Sequence, residues 1–320
     1  MCWECLFYNG ENVSMIGISE ISCYIPEKKE SNYDLLEKFD TDEYFIKEKI
    51  GVEFRSRKES TEKASDLCIY AFEALKKIHD LDIEKIGCCV VVTQNPDYNI
   101  PHVSAIVHGK LELPEHCASF DISLGCSGYV YALSIVKAFM EANNIEKGLL
   151  FTSDPYSEIL DSEDKNTAMI FGDAATVTLL ETDANLQAIA FDFGSKGSGY
   201  KGLINEKKLY MNGRAVFNFT ASKVPISIEN LLTKVSLEKK DIKKWYFHQG
   251  SKYIVDTIKK RLELNTEDVI FDMYQYGNTI SSSIPILLSQ DLNDFKSGDK
   301  IVLSGFGVGL SWASAILEKN

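Results

Sequence analysis

The chain is 320 residues long, 45% apolar and 25% charged, with a formal net charge of −13 at pH 7. Such a composition is that of a globular protein with room for one large core or two of about 150 residues. The negative charge argues against a general nucleic-acid binder, and no apolar run is long enough to span a bilayer.

The N-terminal stretch MCWECLFYNGENVS lacks a basic segment followed by an apolar one, so it does not read as a signal peptide. Residues 1–14 are expected to be a flexible leader before a first strand at Met15. The eight cysteines (2, 5, 23, 68, 88, 89, 117 and 126) lie mostly in apolar segments without framework spacing. That usage fits a reducing cytoplasm better than a disulfide scaffold, and the lone CxxC of Cys2 and Cys5 does not suffice for zinc.

Downstream, a helix over Ser65–Lys77 leads through Asp82-Ile83-Glu84-Lys85 into a strand at Ile86–Thr93. A short strand, Phe120–Ser123, then runs through Gly125 into Cys126, and Val130, Leu133, Ile135, Val136 and Phe139 recur at helical spacing after it. Ile170-Phe171-Gly172-Asp173-Ala174-Ala175 precedes a strand at Thr176–Leu180. The same order of parts then returns. A helix over Val224–Val235 leads through Asp241-Ile242-Lys243-Lys244 into Trp245–Gln249, and a strand at Val269–Tyr276 ends in Gly277-Asn278 before a helix containing Ile284, Leu287 and Leu288. Pro285 falls in that helix's first two turns, where a missing N–H is tolerated, and Ser281–Ser283 are small enough for close packing. Finally Gly305-Phe306-Gly307-Val308-Gly309 precedes Leu310–Leu317. Three matched pairs in one order indicate a duplicated α/β chain with buried, mostly parallel strands. The division is expected near Glu181–Ala188, giving halves at 15–185 and 186–320.

Cys126 sits where a strand turns sharply into a helix, between Gly125 and Gly128. Unpaired N–H groups and the helix dipole there favour a thiolate, the usual presentation of a cysteine nucleophile. A buried structural cysteine in a packed turn is the plain alternative. His248 follows Tyr246-Phe247, and Asn278 follows the Val269–Tyr276 strand. Each has an ordinary reading, a hydrogen-bonded core histidine and a helix N-cap. In a duplicated parallel fold, however, the C-terminal strand ends line one edge, where the three would meet. The order Cys, His, Asn also occurs in papain-like proteases, but a duplicated parallel sheet is the wrong scaffold and the local signature of such a cysteine is absent.

From Met15 to the C-terminus the chain resembles the thiolase-fold β-ketoacyl synthase III family. The resemblance is carried by Asp121-Ile122-Ser123-Leu124-Gly125-Cys126-Ser127-Gly128, Ile170-Phe171-Gly172-Asp173, His248-Gln249, Gly277-Asn278-Thr279 and Gly305-Phe306-Gly307-Val308-Gly309-Leu310-Ser311-Trp312. It implies two βαβαβαββ halves stacked in five layers, αβαβα. It also implies that Cys126 takes an acyl group from a thioester and that a malonyl thioester is then decarboxylated and condensed with it. His248 and Asn278 would donate hydrogen bonds to the malonyl thioester oxygen, and the loop Gly307, Val308, Gly309 would help hold the acyl oxyanion. No metal or redox cofactor is called for; the substrates are acyl-CoA or acyl-carrier-protein thioesters. Phe45, Lys49, Phe217 and Gly250 correspond to positions that bind the thioester arm. Ile100 would reach into the acyl pocket of a partner subunit in a homodimer, without membrane insertion and in the cytoplasm.

The departures concern the arm and the partner. Phe45 and Lys49 replace an aromatic-plus-arginine grip, and Glu158 stands where a basic residue is expected. Asn218 and Tyr253 occupy positions of a lysine and an arginine, His248-Gln249-Gly250-Ser251 replaces His-Gln-Ala-Asn, and Ile100 replaces an aromatic. Two other functions stay open at this point. One is acyl transfer to an amine or hydroxyl, which would release no CO₂. The other is a non-catalytic subunit whose Cys126 is never acylated.

Overall fold

A computed structural model describes residues 15–320; the leader 1–14, with Cys2 and Cys5, lies outside the described residues. The first half contributes strands β1 (Ile16–Tyr24), β2 (Lys29–Ser31), β3 (Phe54–Ser56), β4 (Ile86–Val92), β5 (Ala118–Ile122), β6 (Lys147–Ser153) and β7 (Ala175–Thr182). Its helices are α1 (Ala64–Ile78), α2 (Val103–Lys110), α3 (Gly128–Asn143) and the single turn α4 (Lys165–Ala168). The second half contributes β8 (Leu186–Ser195), β9 (Leu203–Asn205), β10 (Leu209–Met211), β11 (Lys244–Phe247), β12 (Val269–Ile270), β13 (Lys300–Gly307) and β14 (Ser311–Lys319). Between these lie α5 (Gly213–Lys234), α6 (Lys252–Leu262) and α7 (Ser283–Asp291).

The strand order is β12-β11-β13-β14-β8-β1-β7-β6-β4-β5. In the first half β5, β4 and β6 run parallel while β7 and β1 are antiparallel additions. The second half repeats the scheme, with β12, β11 and β13 parallel and β14 and β8 antiparallel. The halves touch edge to edge through the single pair Ile18 and Leu186. This is the thiolase fold expected from the sequence.

Strand alternation decides the layers. Along β4, Cys88, Val90 and Val92 face a central core that also holds Val130, Leu133 and Val136 of α3 and Leu287 and Leu288 of α7. The intervening Cys89 and Val91 face Leu67, Phe72 and Leu75 of α1 and Val107 of α2. In the second half Tyr246, Ile301 and Leu303 point to the same central core. Trp245, Phe247 and Val302 face Val224 and Ile228 of α5 and Ile258 of α6. Helices α3 and α7 are thus covered on both sides, and each fully buried aliphatic side chain contributes about 1.5–3 kcal/mol. Because α3 and α7 are enclosed, the residues that begin them are held in a dry interior. Cys126 precedes the first and Asn278 the second.

Two expected elements differ. The strand expected over Val269–Tyr276 stops at Ile270. Beyond it the backbone turns to another partner: the Tyr274 carbonyl accepts from the N–H groups of Glu53 (2.8 Å) and Phe54 (2.9 Å), and the Tyr276 carbonyl from Ser56 (3.1 Å). Met273 and Tyr276 pack with Ile46, Ile50 and Val52, not along the sheet. Helix α5 starts at Gly213, well before the expected Val224. The Asn212 side chain caps it by accepting from the Ala215 N–H at 3.0 Å, and Pro225 is accommodated in its interior.

Candidate active site

The strand β5 ends at Ile122, and the chain passes through Gly125 to Cys126 just before α3. Strand β13 runs directly against this turn. A methyl group on Gly305 would lie 2.6 Å from the Cys126 carbonyl oxygen, and one on Gly307 would lie 2.7 Å from the Cys126 sulfur. Only glycine leaves room for the thiol beside that backbone. The loop after β13 is tied to the same helix start: Ser311 Oγ lies 2.8 Å from Ser127 Oγ and donates to the Val308 carbonyl at 2.8 Å. The backbone N–H groups of Val308 and of Cys126 itself face the sulfur and act to lower its pKa. Two N–H groups therefore face this thiol.

The charge state of Cys126 differs from the expected thiolate. Burial pushes the thiol up to about 12, and the two N–H donors pull it down without overcoming that cost. At neutral pH the resting group is a thiol. Its alkylation by iodoacetamide is expected to rise by about tenfold per pH unit from pH 7 to pH 10 without levelling off, since thiolate accumulates only as pH approaches the raised pKa. A plateau near neutrality, read by intact mass, would contradict this.

His248 follows β11 and is 2% exposed. Its Nδ1 lies 2.8 Å from Ser283 Oγ, and its Nε2 lies 3.5 Å from Asn278 Nδ2. Phe306 presents its edge to the imidazole at 5.6 Å between ring centroids. Burial lowers the imidazole to about 3, with the Ile280 carbonyl acting in the opposite direction. His248 is therefore neutral at physiological pH. Asn278 is reached through a loop and not from a strand end, as expected above. Its N–H donates to the Ile170 carbonyl (2.9 Å), and its carbonyl accepts from Gly172 (3.0 Å), which couples it to Phe171. The Asn278 Oδ1 accepts from the Ile280 N–H at 2.9 Å, so Nδ2 is the face it turns to His248.

Cys126, His248 and Asn278 line one cavity of about 610 Å³. Phe45, Lys49, Phe217 and Gly250 line it as well, as does Gly307, whereas Val308 and Gly309 border a neighbouring cavity. Ile100 does not line the cavity and is 86% exposed. At the cavity's mouth Phe217 stacks on Tyr253 at 5.1 Å, and Lys49 Nζ lies over the Tyr253 ring at 4.8 Å. The departing residues are thus part of the wall: Asn218 and Tyr253 both line it. Lys252 is engaged by Glu48 and Asp256, each at 3.0 Å. Glu158 pairs with Lys58 at 2.8 Å and Lys63 at 3.5 Å. Sequence reasoning missed Ser283 and Phe306, and also Arg214, which lines the cavity; nothing in the spacing marks Ser283, which reads only as a small helix-start residue. Among the described residues no cluster of His, Cys, Asp and Glu is arranged to hold a metal ion.

The chain is similar to known proteins over most of its length. Residues 120–197 match the family described as 3-oxoacyl-[acyl-carrier-protein] synthase III, and residues 232–319 match its C-terminal part. The chain is 33% identical over 309 residues to β-ketoacyl-[acyl-carrier-protein] synthase III 1 of Bacillus anthracis, covering 95% of this chain and 98% of that protein. It is 34% identical to the Bacillus pumilus synthase III over 314 residues, covering 96% and 99%. The solved structure of the Thermus thermophilus synthase III superposes with a TM-score of 0.89 at 30% identity, covering 95% and 99%.

Proposed function

The chain belongs to the β-ketoacyl-[acyl-carrier-protein] synthase III family, and on that premise we propose a division of labour within its cavity. The protein is an acyl-thioester condensing enzyme, a transferase of the 3-oxoacyl-[acyl-carrier-protein] synthase III type. In the proposed reaction Cys126 loses its proton as its sulfur attacks the acyl carbonyl, and the departing thiolate takes up a proton. The N–H groups of Cys126 and Val308, in the loop Gly307–Gly309, hold the oxyanion. A malonyl thioester then loses CO₂, leaving an enolate whose oxygen accepts hydrogen bonds from His248 and Asn278. The enolate carbon attacks the acyl group and expels the Cys126 sulfur, giving a 3-oxoacyl thioester. The single observation that carries this reading is the meeting of the His248 and Asn278 side chains on the wall of the cavity that holds Cys126. Charge stabilised there exists only along the reaction path, so the pair lowers the barrier and not merely the energy of bound substrate.

The substrates are acyl-CoA or acyl-carrier-protein thioesters, with Phe45, Lys49, Phe217 and Gly250 along the arm. Lys49 over Tyr253, stacked on Phe217, supplies an aromatic and cationic rim for it. Residues 15–185 form the thiol-bearing half and 186–320 the His- and Asn-bearing half. A homodimer is favoured by β5, which ends the sheet with its outer edge unpaired among the described residues, and by the exposure of Ile100. Ile100 would then enter the partner's acyl pocket. A cytoplasmic location is supported by free thiols at Cys68, Cys88, Cys89 and Cys117, and no described helix is long and apolar enough to cross a membrane.

The test is intact-protein mass after incubation with a panel of acyl-CoAs and acyl-carrier proteins, followed by a malonyl thioester. Addition of one acyl mass, then its loss together with CO₂ release, is expected. Loss of the acyl mass to an amine or hydroxyl acceptor without CO₂ would overturn the condensing reading.

A further inference from the structure

We propose that Ser283 is a positioning residue that sets the tautomer of His248. The proposal rests on the role given to His248 above, which requires a hydrogen on Nε2, the ring nitrogen facing the cavity. Neutral imidazole carries only one N–H, so the group at Nδ1 decides which nitrogen has it. The recorded partner of Nδ1 is Ser283 Oγ at 2.8 Å. That hydroxyl has one hydrogen and two acceptors in reach, Nδ1 and the Ile280 carbonyl at 3.0 Å.

If the hydrogen goes to Ile280, Nδ1 must carry the ring proton and Nε2 is a bare lone pair, turned to Asn278 Nδ2. If it goes to Nδ1, Nε2–H and Asn278 Nδ2–H stand 3.5 Å apart and aim at one shared acceptor. The role given to His248 selects the second state, and the surroundings permit it. The Ile280 carbonyl already accepts the Ser283 backbone N–H, so it is not orphaned when the hydroxyl turns away. The Gln249 N–H approaches Ser283 Oγ at 3.5 Å and fills an acceptor position on the oxygen in either state. Asn278 keeps Nδ2 turned to His248, its Oδ1 being held by the Ile280 N–H, so an oxygen accepting from both nitrogens completes the second state. A serine one turn after the catalytic asparagine thus does for this imidazole what a buried carboxylate does in a hydrolase triad, in the opposite sense: it accepts no proton and instead fills the rear lone pair.

Nitrogen-15 spectra of the histidine-labelled protein, with the His248 signals assigned by their loss in His248→Asn, read the tautomer directly. Nε2–H is expected in the wild type and a shift towards Nδ1–H in Ser283→Ala. Loss of the Nε2–H donor should lower malonyl decarboxylation by about 10²- to 10³-fold while acylation of Cys126 keeps its wild-type rate. Ser283→Thr, which retains a hydroxyl, should restore most of the rate, and Ser289→Ala, whose hydroxyl bonds the Ile286 carbonyl elsewhere on α7, should change nothing. A wild-type ring protonated on Nδ1, or an unchanged tautomer in Ser283→Ala, overturns the proposal whatever the activities show. An Nε2–H ring in an enzyme whose His248→Ala variant still decarboxylates malonyl thioester at full rate would instead remove the role of His248 on which the proposal rests.

Discussion

Cys126→Ser is expected to lose acyl-enzyme formation by a factor on the order of 10⁴ or more, with the fold unchanged. Serine is close to isosteric, so it fits beside Gly307 and keeps the contacts of the turn. What it cannot do is ionise or attack as sulfur does, and the two N–H groups that converge on this position then have no acyl oxygen to hold. Cys117→Ser supplies the control. Cys117 is also buried and its thiol is also raised, to about 11, yet it packs with Leu113 and Val107 in the outer layer and its thiol donates to the Ala118 carbonyl at 3.8 Å. Intact mass after exposure to an acyl-CoA should show one added acyl group in Cys117→Ser and none in Cys126→Ser. Equal loading of both variants would mean that another residue is the nucleophile.

The second large effect is expected at the pair opposite the thiol. In the proposed roles His248→Ala and Asn278→Ala each remove one of two donors to the malonyl thioester oxygen, and one such donor is worth about 3 kcal/mol of barrier, or 10²- to 10³-fold in rate. The acyl-loading half-reaction does not use that oxygen, so it should proceed near the wild-type rate. This split separates a role in condensation from simple loss of structure, which would lower both. The neutrality of His248 adds a sign. With its pKa lowered to about 3, the imidazole stays uncharged throughout pH 5–9, so no fall in decarboxylation across that range should trace to its titration.

Much of this was legible in the sequence because the duplication is written in glycine and apolar spacing. Gly125-Cys126 and Gly305 to Gly309 mark close backbone approaches that no other residue allows. The alternation along Cys88 to Val92 fixes both faces of a buried strand. The segment after Ile270 was not legible, because Phe271 and Met273 look like strand residues, whereas the Glu53–Ser56 backbone claims the carbonyls of Tyr274 and Tyr276 just beyond them. Nor was the state of Cys126: helix-start position favours a thiolate, but the enclosure that reverses the balance comes from β13, Tyr156, Phe171 and Ile280, distant in the chain. The same holds for Ser283, whose significance depends on an imidazole 35 residues upstream.

The most direct measurement follows both half-reactions in the same quenched samples of the His248→Ala, Asn278→Ala double variant, reading the mass of the protein and the CO₂ released. The account predicts an acylated protein formed as fast as in the wild type and a CO₂ yield at least 10²-fold lower. A double variant that loses both steps equally, or that still releases CO₂ at the wild-type rate, would contradict it.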